Sequence, residues 1–349
     1  MKLIVSLPYV TRIYSPFEAV LLISFGGPEG RSDIQPFLKN VLRGRQSSAK
    51  RIKEVAQHYE LFDGVSPITS ITKRQAAGLR ARLNTHGPDI PVFIGMRNWH
   101  PFLDDTLQAM ADAGLSRAFG LILAAHHSYS SCGQYKQNVV DARQVRLELG
   151  KTDVEIVYGN GWHTHSGFIA ANASHIQQAK EKLPSDLREK ARLIFTAHSI
   201  PTSMAKNCRY EAELNESARL IAENLGTDDW ALAYQSRGGR PSDQWLEPDI
   251  CDYLQTERQR GLRAAVIAPL GFVADHIEVL YDLDTEAAAV SKEINLSISR
   301  AETVNDHPKF LDALAEITRN AYTRFSRARQ LPLVSSLPPE TVEGLPVAR

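Results

Sequence analysis

Residues 264–286 read AAVIAPLGFVADHIEVLYDLDTE, and the fold turns on them. Residues 264–270 are an apolar run of strand length with no polar face. That is how a strand buried on both sides reads, as in a parallel sheet. Gly271 breaks the run, and the residues after it have helical spacing. Glu278, Asp282 and Glu286 recur every four residues, so on an α-helix they stack along one face. Stacked carboxylates repel one another, so a folded chain leaves such a row in water or uses it. His276 stands just before the row and Asp275 just before that. Carboxylate with imidazole suits a divalent first-row cation such as Fe2+. Ligands in open α/β sheets gather at the carboxyl ends of strands, which makes the row a candidate site.

The same pattern recurs outward from this stretch. Residues 19–25 (AVLLISF) end in Gly26-Gly27-Pro28. Further short apolar runs lie at 91–95, 119–125, 154–157, 192–196 and 230–235. Helical patterns at 69–84, 106–113, 137–149, 167–183, 207–224 and 308–327 alternate with them. The alternation predicts an α/β protein with parallel sheets, and it runs through the chain twice. Unusual residues fall at the strand ends: Phe25, the RNW at 97–99, His126, Trp162 and His198. In a doubly wound fold these ends share one rim. Aromatic side chains offer flat walls, arginines hold carboxylates, and imidazole or carboxylate takes a proton or a metal. The implied ligand is large, flat, acidic at its edge and in contact with a metal ion.

The 349 residues suffice for two domains, and a formal net charge of zero sets up no general field for nucleic acid. Cys132, Cys208 and Cys251 make neither a CxxC nor an even framework, which points to a reducing, cytoplasmic setting. No apolar run reaches the about 18 residues of a membrane span. Pro8 and Arg12 interrupt the apolar start and no cleavage site comes after it, which argues against a secretory leader. Residues 331–349 lack periodicity and read as a disordered tail. There is no GxGxxG, Walker, GxSxG or HExxH motif.

A set of ordered segments carries a family likeness: LLISFGGPEG (21–30), FLKNVLRGR (37–45), HYELFDGVSPI (58–68), RNWHPFLDDTL (97–107), SYSSCGQY (128–135), LIFTAHSIP (193–201), YQSRGG (234–239), WLEPD (245–249) and GFVADHIEVLYDLDTE (271–286). Together they resemble the ferrochelatases, most closely the coproporphyrin III ferrochelatases of actinobacterial type. The resemblance implies a chelatase fold of two similar Rossmann-like domains with the active cleft between them. The first domain would comprise 17–190 plus the helix 308–327, and the second 191–307. It implies insertion of Fe2+ into coproporphyrin III in haem biosynthesis, with iron as substrate and no organic cofactor. Partners would be the porphyrin and Fe2+, with transient contact to neighbouring haem-pathway enzymes and no nucleic acid.

By the same resemblance His198 is a metal ligand or proton acceptor, and Glu278 is its partner across the cleft. Asp282 and Glu286 continue a path for metal or protons. Ser66 and Tyr135 match porphyrin-contacting positions, and Arg43 and Arg45 lie in the matching basic segment. Phe25, His126, Tyr129 and Trp162 complete the expected porphyrin surroundings. Some members have Tyr where Phe25 stands, as axial ligand to the product iron; Phe cannot ligate, so a ligand must come from Tyr129 or His126 or be absent. Other members carry a C-terminal cysteine cluster for a [2Fe-2S] centre. This chain has no cysteine after Cys251, so no such centre is expected. Another tetrapyrrole chelatase, one acting on protoporphyrin IX included, and a non-catalytic porphyrin carrier remain open at this point.

Overall fold

The computed structural model describes residues 16–43, 49–238 and 243–328. Arg45 and the segment 331–349 lie outside them. The first sheet contains β1 (Ala19–Ser24), β2 (Val92–Met96), β3 (Arg117–Ile122) and β4 (Glu155–Tyr158), in the order β2-β1-β3-β4. The second contains β5 (Arg192–His198), β6 (Trp230–Gln235), β7 (Ala264–Ala268) and β8 (Ser297–Arg300), in the order β6-β5-β7-β8. Every pairing is parallel. Counted from its own first strand, each sheet has the same order.

Burial explains the apolar runs. Every residue of β1 and β7 is buried. Successive side chains point to opposite faces. Val20 and Leu22 of β1, with Val266 and Ala268 of β7, enter one core shared by both sheets. Leu21 and Ile23 join an outer cluster with Met110 and Tyr135, and Ala265 and Ile267 join another with Leu254 and Val279. Phe119, Phe168, Phe195 and Phe310 are fully buried in the shared core. Each contributes about 2–3 kcal/mol by leaving water, so the frame outweighs any one polar contact at the strand ends.

Helices α1 (Ile34–Val41), α2 (Ala49–Glu60) and α3 (Ile68–His86) join β1 to β2. α4 (Leu103–Asp112), α5 (Gln134–Glu148) and α6 (Ser166–Glu181) come after β2, β3 and β4. In the second half α7 (Thr202–Ala205) and α8 (Tyr210–Leu225) come after β5, and α9 (Ile250–Gln259) after β6. After β7 come α10 (Ile277–Val279), a π-helical segment Leu280–Ala287 and α11 (Ala288–Glu293). The last helix, α12 (Pro308–Ala328), packs on α6 and α3, and α6 also touches α8 and β7.

The acidic row departs from expectation, because it does not ride on a continuous α-helix. Glu278 lies in the single turn α10, while Asp282 and Glu286 lie in the π-helical segment. A π-helix closes i→i+5 hydrogen bonds and is a wider coil. Positions four apart then fall just short of a full turn and advance less along the axis than in an α-helix.

Candidate functional site

Sheet register builds the site. His198 is the last residue of β5 and pairs with Gln235 at the end of β6. The chain leaving β7 passes directly over the end of β5 at Gly271. A Cβ there would lie 2.6 Å from the Ala197 Cβ, so only glycine permits the crossing. The crossing carries His276 and, two residues on, Glu278 toward the strand end where His198 stands, and the two imidazoles act on one another.

The imidazole of His198 has a defined tautomer. Its Nδ1 lies 2.5 Å from the carbonyl oxygen of Ser199. A carbonyl only accepts, so Nδ1 carries the hydrogen and Nε2 is left as the acceptor. The Tyr210 hydroxyl donates to the His198 carbonyl at 3.1 Å and steadies the strand end. Burial holds the His276 imidazole below its usual range; Glu278 and Asp275 oppose that shift and the neighbouring His198 reinforces it.

Glu278 faces the first half of the molecule. Its charge acts on Tyr59, His58 and Tyr135. Burial pushes the Tyr135 phenol up to about 12, with Glu278 adding to the shift and Arg97 opposing it. The Arg97 guanidinium sits 5.8 Å from the Phe25 ring centroid and 5.4 Å from that of Tyr135, within cation–π range. Its Nε donates to Asn138 Oδ1 at 2.6 Å. Phe25 packs edge-on against Phe37 and also against the cluster of Ile68, Ile71 and, from the second half, Ala274. Ser66 is buried against Gly27, where an added Cβ would come within 2.6 Å of the serine Cβ.

Beyond Glu278 the row runs outward. Ser236 Oγ donates a very short hydrogen bond to Asp282 Oδ2, and Gln235 Nε2 donates to the same oxygen at 3.2 Å. Ser236 adopts φ 59°, the left-handed region that a non-glycine residue enters at a cost. Burial pushes the Asp282 carboxyl up to about 7; Glu278 and Glu286 raise it further, while the Ser236 and Gln235 bonds pull it back. Glu286 is the exposed member of the row; the partial desolvation of its carboxyl and the nearby Asp249 raise its pKa, while Tyr281 and Arg51 oppose the rise. The Tyr281 ring stacks on His58 at 3.6 Å between centroids, which seats α2 on the π-helical segment. Among the described residues no three His, Cys, Asp or Glu side chains converge as a metal cage; the acids form a file.

The raised Asp282 carboxyl makes stability depend on pH. From the ordinary Asp value of 3.8 up to about 7, the folded chain keeps a proton on Asp282 that the unfolded chain has released. Asp282 therefore destabilises the fold increasingly as pH rises through that window, by about 4 kcal/mol at most above it. Asp282→Asn is expected to raise the Tm at pH 8 and leave it nearly unchanged at pH 4. Melting curves across pH 4–8 check this; equal effects at both ends would show that Asp282 ionises normally.

The structure does not bring every expected residue to this place. His126 is buried, its Nε2 3.0 Å from Ser217 Oγ, and burial beside His163 and His127 pushes its pKa down to about 3. Trp162 packs on Phe168 and Phe310. Trp162 belongs to the shared core and the His126 ring lies 6.2 Å from that of Phe168 in the same core, so neither is among the side chains gathered around His198 and Glu278. Tyr129 is exposed. Arg43 is exposed on the turn after α1 and donates to Asn40 Oδ1 at 3.1 Å. Asp275 accepts from Arg300 Nη1 at 3.0 Å. Residues not expected from the sequence include Gln235 and Ser236, which grip Asp282, and His58, whereas Arg97 was among the strand-end residues singled out there. The signal for the first two was their place in YQSRGG at a strand end.

Comparison with known proteins agrees with this geometry. The ferrochelatase family matches residues 17–322. A protein of Rhodopirellula baltica named ferrochelatase is 40% identical over 93% of this chain and 91% of its own length. Proteins named coproporphyrin III ferrochelatase are similar too. That of Streptomyces coelicolor is 44% identical over 87% of this chain and 85% of its own, and that of Mycolicibacterium smegmatis 39% over 94% and 93%. Among solved structures, SirB from Bacillus subtilis with Fe3+ shares the fold, with TM-score 0.52 and 13% identity over 88% of this chain and 96% of that one. With a matching family over most of its length, a two-sheet chelatase fold, and a histidine and a file of acids at the strand ends, this chain belongs to the ferrochelatase family.

Proposed function

We propose that the chain inserts ferrous iron into coproporphyrin III during haem biosynthesis, in the cytoplasm. The observation that carries the reading is His198, an imidazole whose acceptor nitrogen is set by its bond to Ser199 and which stands near the head of the acidic file. Metal insertion must remove two protons from the pyrrole nitrogens as the ion enters. His198 Nε2 is a neutral acceptor suited to that step. Glu286, exposed, meets the hydrated ion first; Asp282 comes next; Glu278 delivers it to the ring. Asp282 holds a proton near neutral pH and exchanges it for the cation, so the file avoids carrying three adjacent negative charges. Phe25 and Tyr135, with Arg97 between them, form the flat wall.

The choice of coproporphyrin rests on its four propionates, on the names of the Streptomyces and Mycolicibacterium relatives, and on cations just after α1 and on α2. Arg43, Lys50 and Lys53 are exposed there, and Arg51 lies near enough to Glu286 to favour its ionised form. Facing propionates, each cation gains a charge-assisted hydrogen bond. Among the described residues no helix is long and apolar enough to cross a membrane. The reading includes no [2Fe-2S] centre: such a centre takes four protein ligands, and Cys132, Cys208 and Cys251 sit against three different apolar clusters.

Anaerobic Fe2+ insertion with coproporphyrin III and protoporphyrin IX side by side, at low and high salt, tests the substrate. The expected result is a kcat/KM at least about tenfold higher for coproporphyrin, shrinking with salt and with Arg43→Ala. A preference for protoporphyrin, or a coproporphyrin KM indifferent to salt, would sink the substrate assignment.

A further inference from the structure

The acidic file is held from behind by one side chain. Arg300 is the last residue of β8 and is largely buried. Its Nη1 donates to Asp275 Oδ1 at 3.0 Å and to the Ala301 carbonyl at 3.1 Å, and its Nε donates to Asp284 Oδ1 at 2.7 Å. Asp275 precedes Glu278, and Asp284 lies between Asp282 and Glu286 on the π-helical segment. A single guanidinium thus ties the loop before the file to the segment that carries it.

The loop side of this tie is fully paired. Asp275 Oδ2 accepts from Asn305 Nδ2 at 3.0 Å, and the Asp275 N–H donates to Asn305 Oδ1 at 2.9 Å. Asn305 stands at φ 42° and its Oδ1 also accepts from the Thr303 hydroxyl at 2.8 Å. Gln75 of α3 donates to the carbonyls of Val273 and Asn305 at 3.1 and 2.7 Å, so the first half of the molecule joins the same network.

A π-helical run is rare and is found frequently at functional sites, and this one is bonded from β8 through Arg300. We propose that Arg300, acting through Asp275 and Asp284, is the positioning residue that fixes the acidic file for metal delivery. The inference rests on the chelatase reading above. It separates from a merely structural role because Asp284 is 39% exposed. An ion pair open to water adds little to stability, so a structural role predicts that losing Asp284 costs almost nothing. A positioning role predicts a loss in delivery, since small misplacements of reacting groups are costly.

The test is steady-state insertion with Fe2+ and porphyrin varied separately. Asp284→Ala is expected to raise the KM for Fe2+ about tenfold, with the porphyrin KM and the Tm nearly unchanged. Asp284→Asn, which keeps an acceptor for Arg300, should recover most of that loss. Arg300→Lys should act in the same direction, and the double variant should be no worse than the poorer single one. An unchanged iron KM in Asp284→Ala, an equal rise in both KM values, or simple additivity overturns the clamp. If Arg300→Lys does not fold, the two Asp284 variants decide alone. A wild-type chain that inserts no metal would instead defeat the chelatase reading, and the clamp with it.

Discussion

Replacing His198 by alanine is expected to lower iron insertion by about three orders of magnitude, the middle of the range for loss of a positioned proton acceptor. Two features argue for so large an effect. The bond from Nδ1 to the Ser199 carbonyl leaves Nε2 as the acceptor, so no tautomer change is needed when the substrate arrives. The neighbouring His276 is a poor substitute, because burial weakens it as a base. Porphyrin affinity should change little, since flat apolar contact supplies most of it. The fold should survive, because the shared core of buried phenylalanines does not include this side chain. Absorbance titration of the porphyrin together with turnover measurement separates the two effects. Near-normal turnover in a folded His198→Ala protein would remove this imidazole from the reaction.

Along the acidic file, Glu278→Gln is expected to slow insertion about a hundredfold, and Glu286→Gln less than about fivefold. Glu278 lies within electrostatic reach of His276, Tyr59 and Tyr135 at the cleft. Glu286 is exposed at the far end, where bulk solvent can replace much of what it does for an incoming ion. The Glu286 variant should show its defect mainly at low iron, as a higher KM. Glu278→Gln should show it in kcat at saturating iron, because the ion then arrives but is not handed on. Equal losses in both variants would mean that the file acts as one unit.

Much of this arrangement was legible in the residues. The run at 264–270 has no polar face, and β7 is buried throughout. His198 closes an apolar run and lies at the end of β5. The acids after Gly271 were readable as a candidate site because a row at that spacing is either left in water or used, and this one comes directly after a buried strand. Their coil was not readable. The spacing of the acids does not say whether a segment closes i→i+4 or i→i+5, and nothing in it announces that Arg300 reaches the segment from another strand. Ser236 on Asp282 was hidden for a similar reason, since it depends on the register of β5 against β6. His126 and Trp162 stand at strand ends as His198 does, yet their side chains are buried, because a strand end has two sides. With two sheets sharing a core, some residues just past the strands turn inward, and position along the chain does not say which.

Matching strand order in two differently furnished halves makes this enzyme modular. The residues proposed to accept the flat ligand, Phe25, Arg97 and Tyr135, hang on the sheet built from 19–158. Those proposed to handle the ion and the protons, His198, Glu278, Asp282 and Glu286, lie on or just after strands of the sheet built from 192–300. Taste in macrocycles and taste in metals are thus written on separate stretches of gene. Mutation can retune one without rewriting the other, so a descendant can change its tetrapyrrole while keeping its ion, or the reverse.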